Sequence, residues 1–133
     1  MLLGTGVDLV EVERVAHSIE RFGERFLSRV FTAGEIAYCS RKRNQAESFA
    51  ARFAAKEAGA KALGTGMSFG VTWREIEVGR SASGRPSLEL SGGALRIARQ
   101  LGVQVISLSL THTAASAVAM VILEGEPRSK HQD

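Results

Sequence analysis

Hydrophobic and polar residues alternate along the first ten positions with the period of a β-strand. One face carries Leu3, Thr5, Val7 and Leu9, and the other carries Gly4, Gly6, Asp8 and Val10. Residues 11–22 then change to a helical period, with apolar side chains at Val12, Val15, Ala16, Ile19 and Phe22. The pattern predicts a strand, with Asp8 on the face away from Val7 and Leu9, followed by an amphipathic helix.

Capping signals mark two further helices. Thr32 and Glu35 have the spacing of a capping box at the start of a short helix, and Asn44 with Glu47 repeats that spacing. The second cap begins a long helix through residue 63, which Gly64 is suited to end. The helix also carries many small side chains, which let other backbone approach closely: Ala50, Ala51, Ala54, Ala55, Ala58 and Ala62.

The second half of the chain favours strands. The pattern first predicts a strand over 71–78 with a bulge, a turn over 81–86 and a second strand at Leu88 and Leu90. A helix over 94–101 follows. Two further strands, over 103–110 and 115–123, are predicted around a turn at 111–113. The last strand is apolar on both faces, so a subunit interface could supply its second cover.

These elements indicate one α+β domain, with a mainly antiparallel sheet packed around the long alanine-rich helix. We expect the domain to span residues 1–123 and a polar, flexible tail to span 124–133.

Composition agrees with an ordinary globular chain: 133 residues, 44% hydrophobic and 23% charged. The N-terminus lacks the basic start and apolar run of a secretory signal, so we expect Asp8 to be part of the mature protein. We also expect a cytoplasmic location and no membrane partner. Cys39 is the single cysteine, and no Cys or His cluster has zinc-ligand spacing. A bound metal would therefore need oxygen ligands.

The net charge of +3 and pI near 9.5 favour acidic partners, which could be a nucleotide, an acidic protein or nucleic acid. The consecutive Arg41, Lys42 and Arg43 support a small nucleic-acid-binding protein as the alternative function. Only 6% of residues are aromatic and no stacking or groove-binding motif is present. We therefore predict no nucleic-acid partner.

Asp8 and Glu57 are the candidate magnesium ligands, because magnesium prefers carboxylates, waters and phosphate oxygens. Glu57 could instead form an exposed pair with Lys61, one helical turn later. Lys56 and Lys61, with Arg52, could hold a diphosphate or could simply be solvated. His112 is predicted in a turn, where it could bind an anion or shuttle a proton.

Five segments together resemble the holo-acyl-carrier-protein synthase family of 4'-phosphopantetheinyl transferases. They are G-T-G-V-D-L-V-E-V-E-R at 4–14, F-T-A-G-E at 31–35, R-F-A-A-K-E-A-G-A-K-A-L-G-T-G at 52–66, G-R-P at 84–86 and S-L-T-H-T at 109–113. The resemblance implies an enzyme that transfers 4'-phosphopantetheine from coenzyme A to a serine of apo acyl carrier protein. It also implies that the reaction depends on magnesium and serves fatty acid biosynthesis. It also implies a homotrimer with active sites shared between subunits.

By the same resemblance, Asp8 and Glu57 bind the metal and Lys61 contacts the diphosphate. Arg43, Arg52 and His112 match positions near the nucleotide 3'-phosphate, the turn from Gly84 to Pro86 borders the adenine, and Arg14 and Arg21 receive the carrier protein. Glu57 or a metal-bound water could take the serine proton. A protein of this fold that only binds coenzyme A would lack Asp8 or Glu57, and this chain has both.

Overall fold

The computed structural model describes residues 1–128 of the chain. Its elements are β1 (Leu2–Glu11), α1 (Val12–Phe22), α2 (Glu24–Val30), α3 (Ala33–Ser40), α4 (Gln45–Ala62), β2 (Ile76–Arg80), β3 (Pro86–Leu90), α5 (Gly92–Leu101), β4 (Val103–His112) and β5 (Ser116–Gly125). A three-stranded sheet has the order β1-β5-β4, and β2 and β3 form a hairpin. Both sheets are antiparallel, which confirms the predicted α+β class.

Helix α4 packs across the inner face of the three-stranded sheet. The central strand β5 presents to it four side chains that are almost completely buried: Ala117, Ala119, Val121 and Leu123. The alanines of α4 lie in the same core, so the helix axis can come close to the sheet.

Two glycines of β1 fix how closely strand and helix approach. A Cβ atom on Gly6 would overlap the carbonyl oxygen of Ala58, and one on Gly4 would overlap that of Ala62. Any larger residue would therefore push β1 away from α4. Asp8 follows on the same face of the strand, so this close packing also brings its carboxylate next to the helix.

The helix termini agree with the sequence in part. Thr32 and Glu35 form both halves of the predicted capping box, and Gly64 has φ 81° just after α4. Asn44 is the N-cap residue of α4, as its spacing predicts, but its side chain makes no cap hydrogen bond. The sequence pattern also did not predict α2.

Two other boundaries differ from prediction. Residues 73–75 form a 3-10 turn and the strand begins only at Ile76, because the Glu75 carboxylate accepts a hydrogen bond from the backbone N–H of Thr72 and starts a helical turn. His112 lies at the end of β4 rather than in the following turn.

Strand β5 continues through Glu124 and Gly125, the first two residues of the predicted tail. The part of that tail prediction from position 129 onward lies outside the described residues. No helix within residues 1–128 has the length and apolar character needed to cross a membrane.

Candidate functional site

Asp8, Glu57 and Lys61 converge where β1 packs on the C-terminal half of α4. The ammonium of Lys61 donates hydrogen bonds to Asp8 Oδ1 at 2.9 Å and to the carbonyl oxygen of Val7 at 3.2 Å. Glu57 is half-buried on the preceding turn of the helix. The alternative of a simple exposed pair between Glu57 and Lys61 is wrong, because Lys61 contacts a carboxylate 53 residues away instead.

The electrostatics of this acidic cluster (Asp8, Glu57 and Lys61) favour a cation. Burial raises the pKa of the Glu57 carboxyl, and the negative charge of Asp8 raises it further, while Lys61 and Arg14 act in the opposite direction. The hydrogen bond to Asp8 raises the pKa of Lys61. Two carboxylates therefore lie close enough to repel each other, with one ammonium to offset them.

Lys56, the other candidate for holding a diphosphate, is not available to a ligand. Its ammonium is fully buried, 2.6 Å from Glu35 Oε1, and it donates to the carbonyl oxygens of Ile76 at 2.7 Å and Trp73 at 3.2 Å. Glu35 in turn accepts hydrogen bonds from the backbone of Thr32 and Val78. Lys56 thus ties α4 to α3 and β2, which the sequence pattern did not predict.

A second cluster of predicted site residues lies on another side of α4. Arg43, Arg52 and His112 line a cavity of about 340 Å³. Arg52 is only 6% exposed, and its Nε atom has no hydrogen-bond partner among the described residues. The imidazole Nδ1 of His112 lies 3.1 Å from Glu47 Oε1. A buried guanidinium with a free donor beside a cavity is suited to an anion.

The walls of that cavity also include Lys42 of the basic run, together with Tyr38 and Arg80, which the sequence pattern did not predict as site residues. Arg80 reaches them from β2, 42 residues beyond Tyr38. The family resemblance implies Arg43, Arg52 and His112 in this region, and the basic run at 41–43 includes Lys42. No local spacing in the sequence predicts that Arg80 joins it, because the contact depends on how the β2–β3 hairpin packs.

The turn of the β2–β3 hairpin adjoins this basic cavity. Gly84 has φ 85°, which favours glycine there, and its carbonyl oxygen accepts a hydrogen bond from Arg80 Nη1 at 2.9 Å. Pro86 lies on the far side of the turn, where it lines an open groove with residues 105–110 of β4. The predicted adenine segment therefore lies next to the basic cavity and also faces outward.

Arg14 and Arg21 are both exposed on α1. Arg14 borders a cavity of about 260 Å³ with an apolar lining that includes Phe26 and Phe53. The guanidinium of Arg21 lies 5.4 Å from the ring centre of Phe22, which is itself half exposed. This face of α1 combines positive charge with exposed apolar surface.

The predicted site residues thus form separate groups within one chain. Asp8 lies on β1 and His112 on β4, the two outer strands of the three-stranded sheet. Within residues 1–128, no group of three or more His, Cys, Asp or Glu side chains is arranged to hold a metal ion. A metal at the acidic cluster would therefore have two protein carboxylates and would take its other ligands from water and substrate.

Comparisons with known proteins agree on one family. Residues 4–121 match the family described as the 4'-phosphopantetheinyl transferase superfamily. A holo-[acyl-carrier-protein] synthase from Solibacter usitatus is 57% identical over 93% of this chain and 99% of its own length.

Solved structures show the same similarity. The holo-[acyl-carrier-protein] synthase of Neisseria meningitidis superposes with a TM-score of 0.85 at 32% identity, over 93% of this chain and 99% of that chain. The holo-[acyl-carrier-protein] synthase of Helicobacter pylori was solved in complex with coenzyme A. It superposes with a TM-score of 0.79 at 31% identity, over 90% of this chain and 99% of that chain.

Proposed function

The chain belongs to the 4'-phosphopantetheinyl transferase superfamily, and we propose that it transfers 4'-phosphopantetheine from coenzyme A to a serine of apo acyl carrier protein. It is an enzyme, and adenosine 3',5'-bisphosphate is the second product. The observation that supports the chemistry is the acidic cluster, where two carboxylates and one ammonium meet beside β1. A carrier protein of fatty acid biosynthesis is the proposed acceptor, and the cytoplasm is the proposed location.

In this reaction the serine oxygen attacks the phosphorus on the pantetheine side of the diphosphate. A new P–O bond forms, the bond to the leaving bisphosphate breaks, and negative charge grows on the phosphate oxygens. Lys61, which is half exposed, can donate to those oxygens. Burial and the charge of Asp8 raise the pKa of Glu57, so its carboxylate is suited to accept the serine proton while it is not bound to the metal.

The acidic cluster also fits a magnesium ion. Asp8 and Glu57 would hold it, because two neighbouring carboxylates that repel each other are stabilised by a divalent cation. When bound, magnesium would neutralise the charge that develops on the diphosphate. Lys61 would keep its contact with Asp8 or exchange it for a phosphate oxygen.

The basic cavity is the proposed site for the other end of coenzyme A. Arg52 offers a buried Nε that is unpaired in the described part of the chain, and Arg43 and His112 line the same cavity. Together they suit the 3'-phosphate, while the turn from Gly84 to Pro86 would border the adenine. Helix α1, with Arg14 and Arg21 exposed, is the proposed docking surface for the acidic carrier protein.

A homotrimer with active sites between subunits is the proposed assembly. The outer face of the three-stranded sheet exposes Val7, Leu9 and Met120 at 55%, 66% and 42%, with Val105 nearby on β4. An apolar sheet face of this kind needs a cover. The acidic cluster and the basic cavity lie on different sides of α4, so one coenzyme A could use the acidic cluster of one subunit and the cavity of its neighbour.

The direct test is to incubate the protein with coenzyme A, magnesium and an apo carrier protein, and to weigh the carrier by mass spectrometry. We expect a gain equal to one phosphopantetheine in the wild type. Asp8→Ala, Glu57→Ala and an excess of chelator should each abolish the gain, while circular dichroism stays unchanged. Full transfer in the presence of chelator would remove magnesium from the mechanism.

The assembly has its own tests. Sedimentation equilibrium should give three chains per particle, and a stable monomer at micromolar concentration would contradict the trimer. Co-expression of Glu57→Ala chains with Arg52→Ala chains should restore part of the activity, because a mixed trimer would contain an interface with one intact half from each variant. If the mixture stays inactive, each site lies within one chain.

A further inference from the structure

Tyr38 on α3 lies at the centre of three positive side chains. The guanidinium of Arg52 lies 4.0 Å from the centre of its ring, the ammonium of Lys42 lies 4.4 Å away, and the guanidinium of Arg80 lies 5.3 Å away. The phenol oxygen also accepts hydrogen bonds from Arg80 Nη2 at 2.7 Å and Nε at 3.0 Å. We call these four residues the Tyr38 cation cluster.

Acidic side chains lie near this cluster but do not pair with its cations within residues 1–128: Glu77 and Glu89 line a cavity together with Tyr38, Arg52 and Arg80. Among the described residues, neither Lys42, Arg52 nor Arg80 forms a salt bridge. Three like charges around one ring repel each other, and one of them, Arg52, is almost completely buried, with no hydrogen-bond partner for its Nε among residues 1–128. Clustering positive charges in this way costs folding free energy unless an anion neutralises them.

A tyrosine organises cations differently from a carboxylate. Its ring attracts them through the negative face of the π system, and its oxygen accepts hydrogen bonds, yet the phenol is neutral. Asp or Glu at the same place would orient the guanidiniums but would cancel part of their charge. Tyr38 therefore fixes the positions of the cations and leaves their charge available to a ligand.

We propose that Tyr38 is a positioning residue that orders this cation cluster for the 3'-phosphate of coenzyme A. The inference rests on the proposed function, and it adds Tyr38, Lys42 and Arg80 to the residues that select the donor. Arg80 also donates to the carbonyl oxygen of Gly84, so it links the cluster to the turn proposed to border the adenine. Tyr38 then favours donors that carry a 3'-phosphate over donors that lack it.

The environment of the phenol agrees with this role. Although burial acts in the opposite direction, the hydrogen bonds and charge of Arg80, with the cations of Lys42 and Arg52 beside the ring, hold the pKa of Tyr38 below its ordinary value. A bound phosphate would neutralise those cations and would allow the pKa to rise. Tyr38 is the only tyrosine in the chain, so tyrosinate absorbance reports on it alone.

The test compares coenzyme A with 3'-dephospho-coenzyme A as donors. Tyr38→Phe keeps the ring and loses the oxygen, and Tyr38→Leu loses both. We expect the KM for coenzyme A to rise several-fold in the first and about tenfold or more in the second, with kcat nearly unchanged. The KM for 3'-dephospho-coenzyme A should not move. Arg80→Gln should resemble Tyr38→Phe, while Arg96→Gln, which removes an exposed charge on α5, should behave as wild type.

Binding measurements separate this inference from the proposed function. Calorimetry with adenosine 3',5'-bisphosphate and adenosine 5'-monophosphate needs no transfer activity. We expect the wild type to prefer the bisphosphate, Tyr38→Leu to lose that preference, and only the bisphosphate to raise the pKa of the Tyr38 phenol. Equal weakening of both nucleotides, or an unchanged preference in Tyr38→Leu, would overturn the positioning role even if transfer is confirmed. A wild type with no preference would overturn it as well.

Discussion

Two lysines of α4, five residues apart, form ion pairs in opposite surroundings. Lys56 is fully buried and pairs with Glu35 at 2.6 Å, whereas Lys61 is 51% exposed and pairs with Asp8 at 2.9 Å. Burial lowers the pKa of Lys56, and the hydrogen bond to Asp8 raises that of Lys61. An ion pair between a lysine and a carboxylate therefore serves the fold in one place and stays open to a ligand in the other.

The difference comes from what surrounds each ammonium. Lys56 satisfies its three donors with Glu35 and two backbone carbonyls, so a ligand would have to displace partners that cannot reach water. Lys61 keeps one side towards solvent, so a phosphate could replace or share its contact with Asp8. Burial, more than charge, decides which of the two lysines can act on a substrate.

The largest effect should follow from breaking the buried pair. In Lys56→Met the carboxylate of Glu35 loses its partner in the core, so we expect the free energy of unfolding to fall by about 3–5 kcal/mol. Urea denaturation measures this loss. Lys61→Met is the matched control, because it makes the same change on the same helix and should cost less than about 1 kcal/mol. Equal denaturation midpoints for the two variants would contradict the comparison.

For transfer activity, we expect the direct contribution to come from the exposed Lys61 and not from the buried Lys56. Lys61→Met should lower kcat/KM for transfer by about 10²–10³-fold while its stability stays near that of the wild type, because a donor to the developing phosphate charge is lost. Steady-state kinetics with saturating carrier protein measures the effect. If kcat/KM stays within about twofold of the wild type, the diphosphate contact lies elsewhere and the exposed pair has only a surface role.

The buried region can also be tested by pH. Burial raises the pKa of the Cys39 thiol, next to the Glu35–Lys56 pair, from 9.0 to about 11. The folded state then keeps its proton longer than the unfolded state, so this stabilisation is complete below pH 9 and is lost as the pH rises through about 11. A shift of this size corresponds to at most about 2.7 kcal/mol.

Denaturation midpoints of the wild type and of Cys39→Ala, measured across that alkaline range, isolate the thiol from other groups that titrate there. We expect stability to fall more steeply with pH in the wild type than in the variant. Parallel curves would show that the thiol is accessible enough to ionise in the folded state.

Sequence periodicity predicted the parts of the fold that depend on neighbours along the chain. The first strand is confirmed, with Asp8 on the face away from Val7 and Leu9. The Thr32–Glu35 cap is confirmed as well, because both signals lie within a few residues along the chain. The same Thr-x-x-Glu spacing occurs at Thr72 and Glu75, and it could have shown that this segment starts a helical turn instead of a strand.

Contacts between distant segments could not be predicted in this way. Glu35 completes a cap, but it also meets Lys56 and the backbone of Val78, which only the packing of α3 against α4 and β2 reveals. Tyr38 and Arg80 meet for the same reason. The roles of the candidate site residues stay predictions, and the structure adds which of them share a cluster.

The smallest effect concerns exposed charges that act on a partner. Arg14 and Arg21 both lie on α1, seven residues and roughly 10.5 Å apart along the helix, a span suited to carboxylates on another helix. Reversing both to Glu should raise the KM for the carrier protein several-fold, more at low salt than at high salt, because exposed charges mainly steer association. Steady-state kinetics at two salt concentrations measures it.

The same double variant also tests whether exposed charges can be reversed without loss of stability. The double variant should keep its stability and its affinity for adenosine 3',5'-bisphosphate, because neither arginine is buried and neither lines the basic cavity. Reversing Arg96 and Arg99 to Glu on α5 makes the same charge change elsewhere and should leave the carrier KM unaltered. Equal weakening of both substrates would assign these arginines to the nucleotide or the fold. Unchanged carrier kinetics would move docking to another surface and leave α1 an ordinary solvated helix.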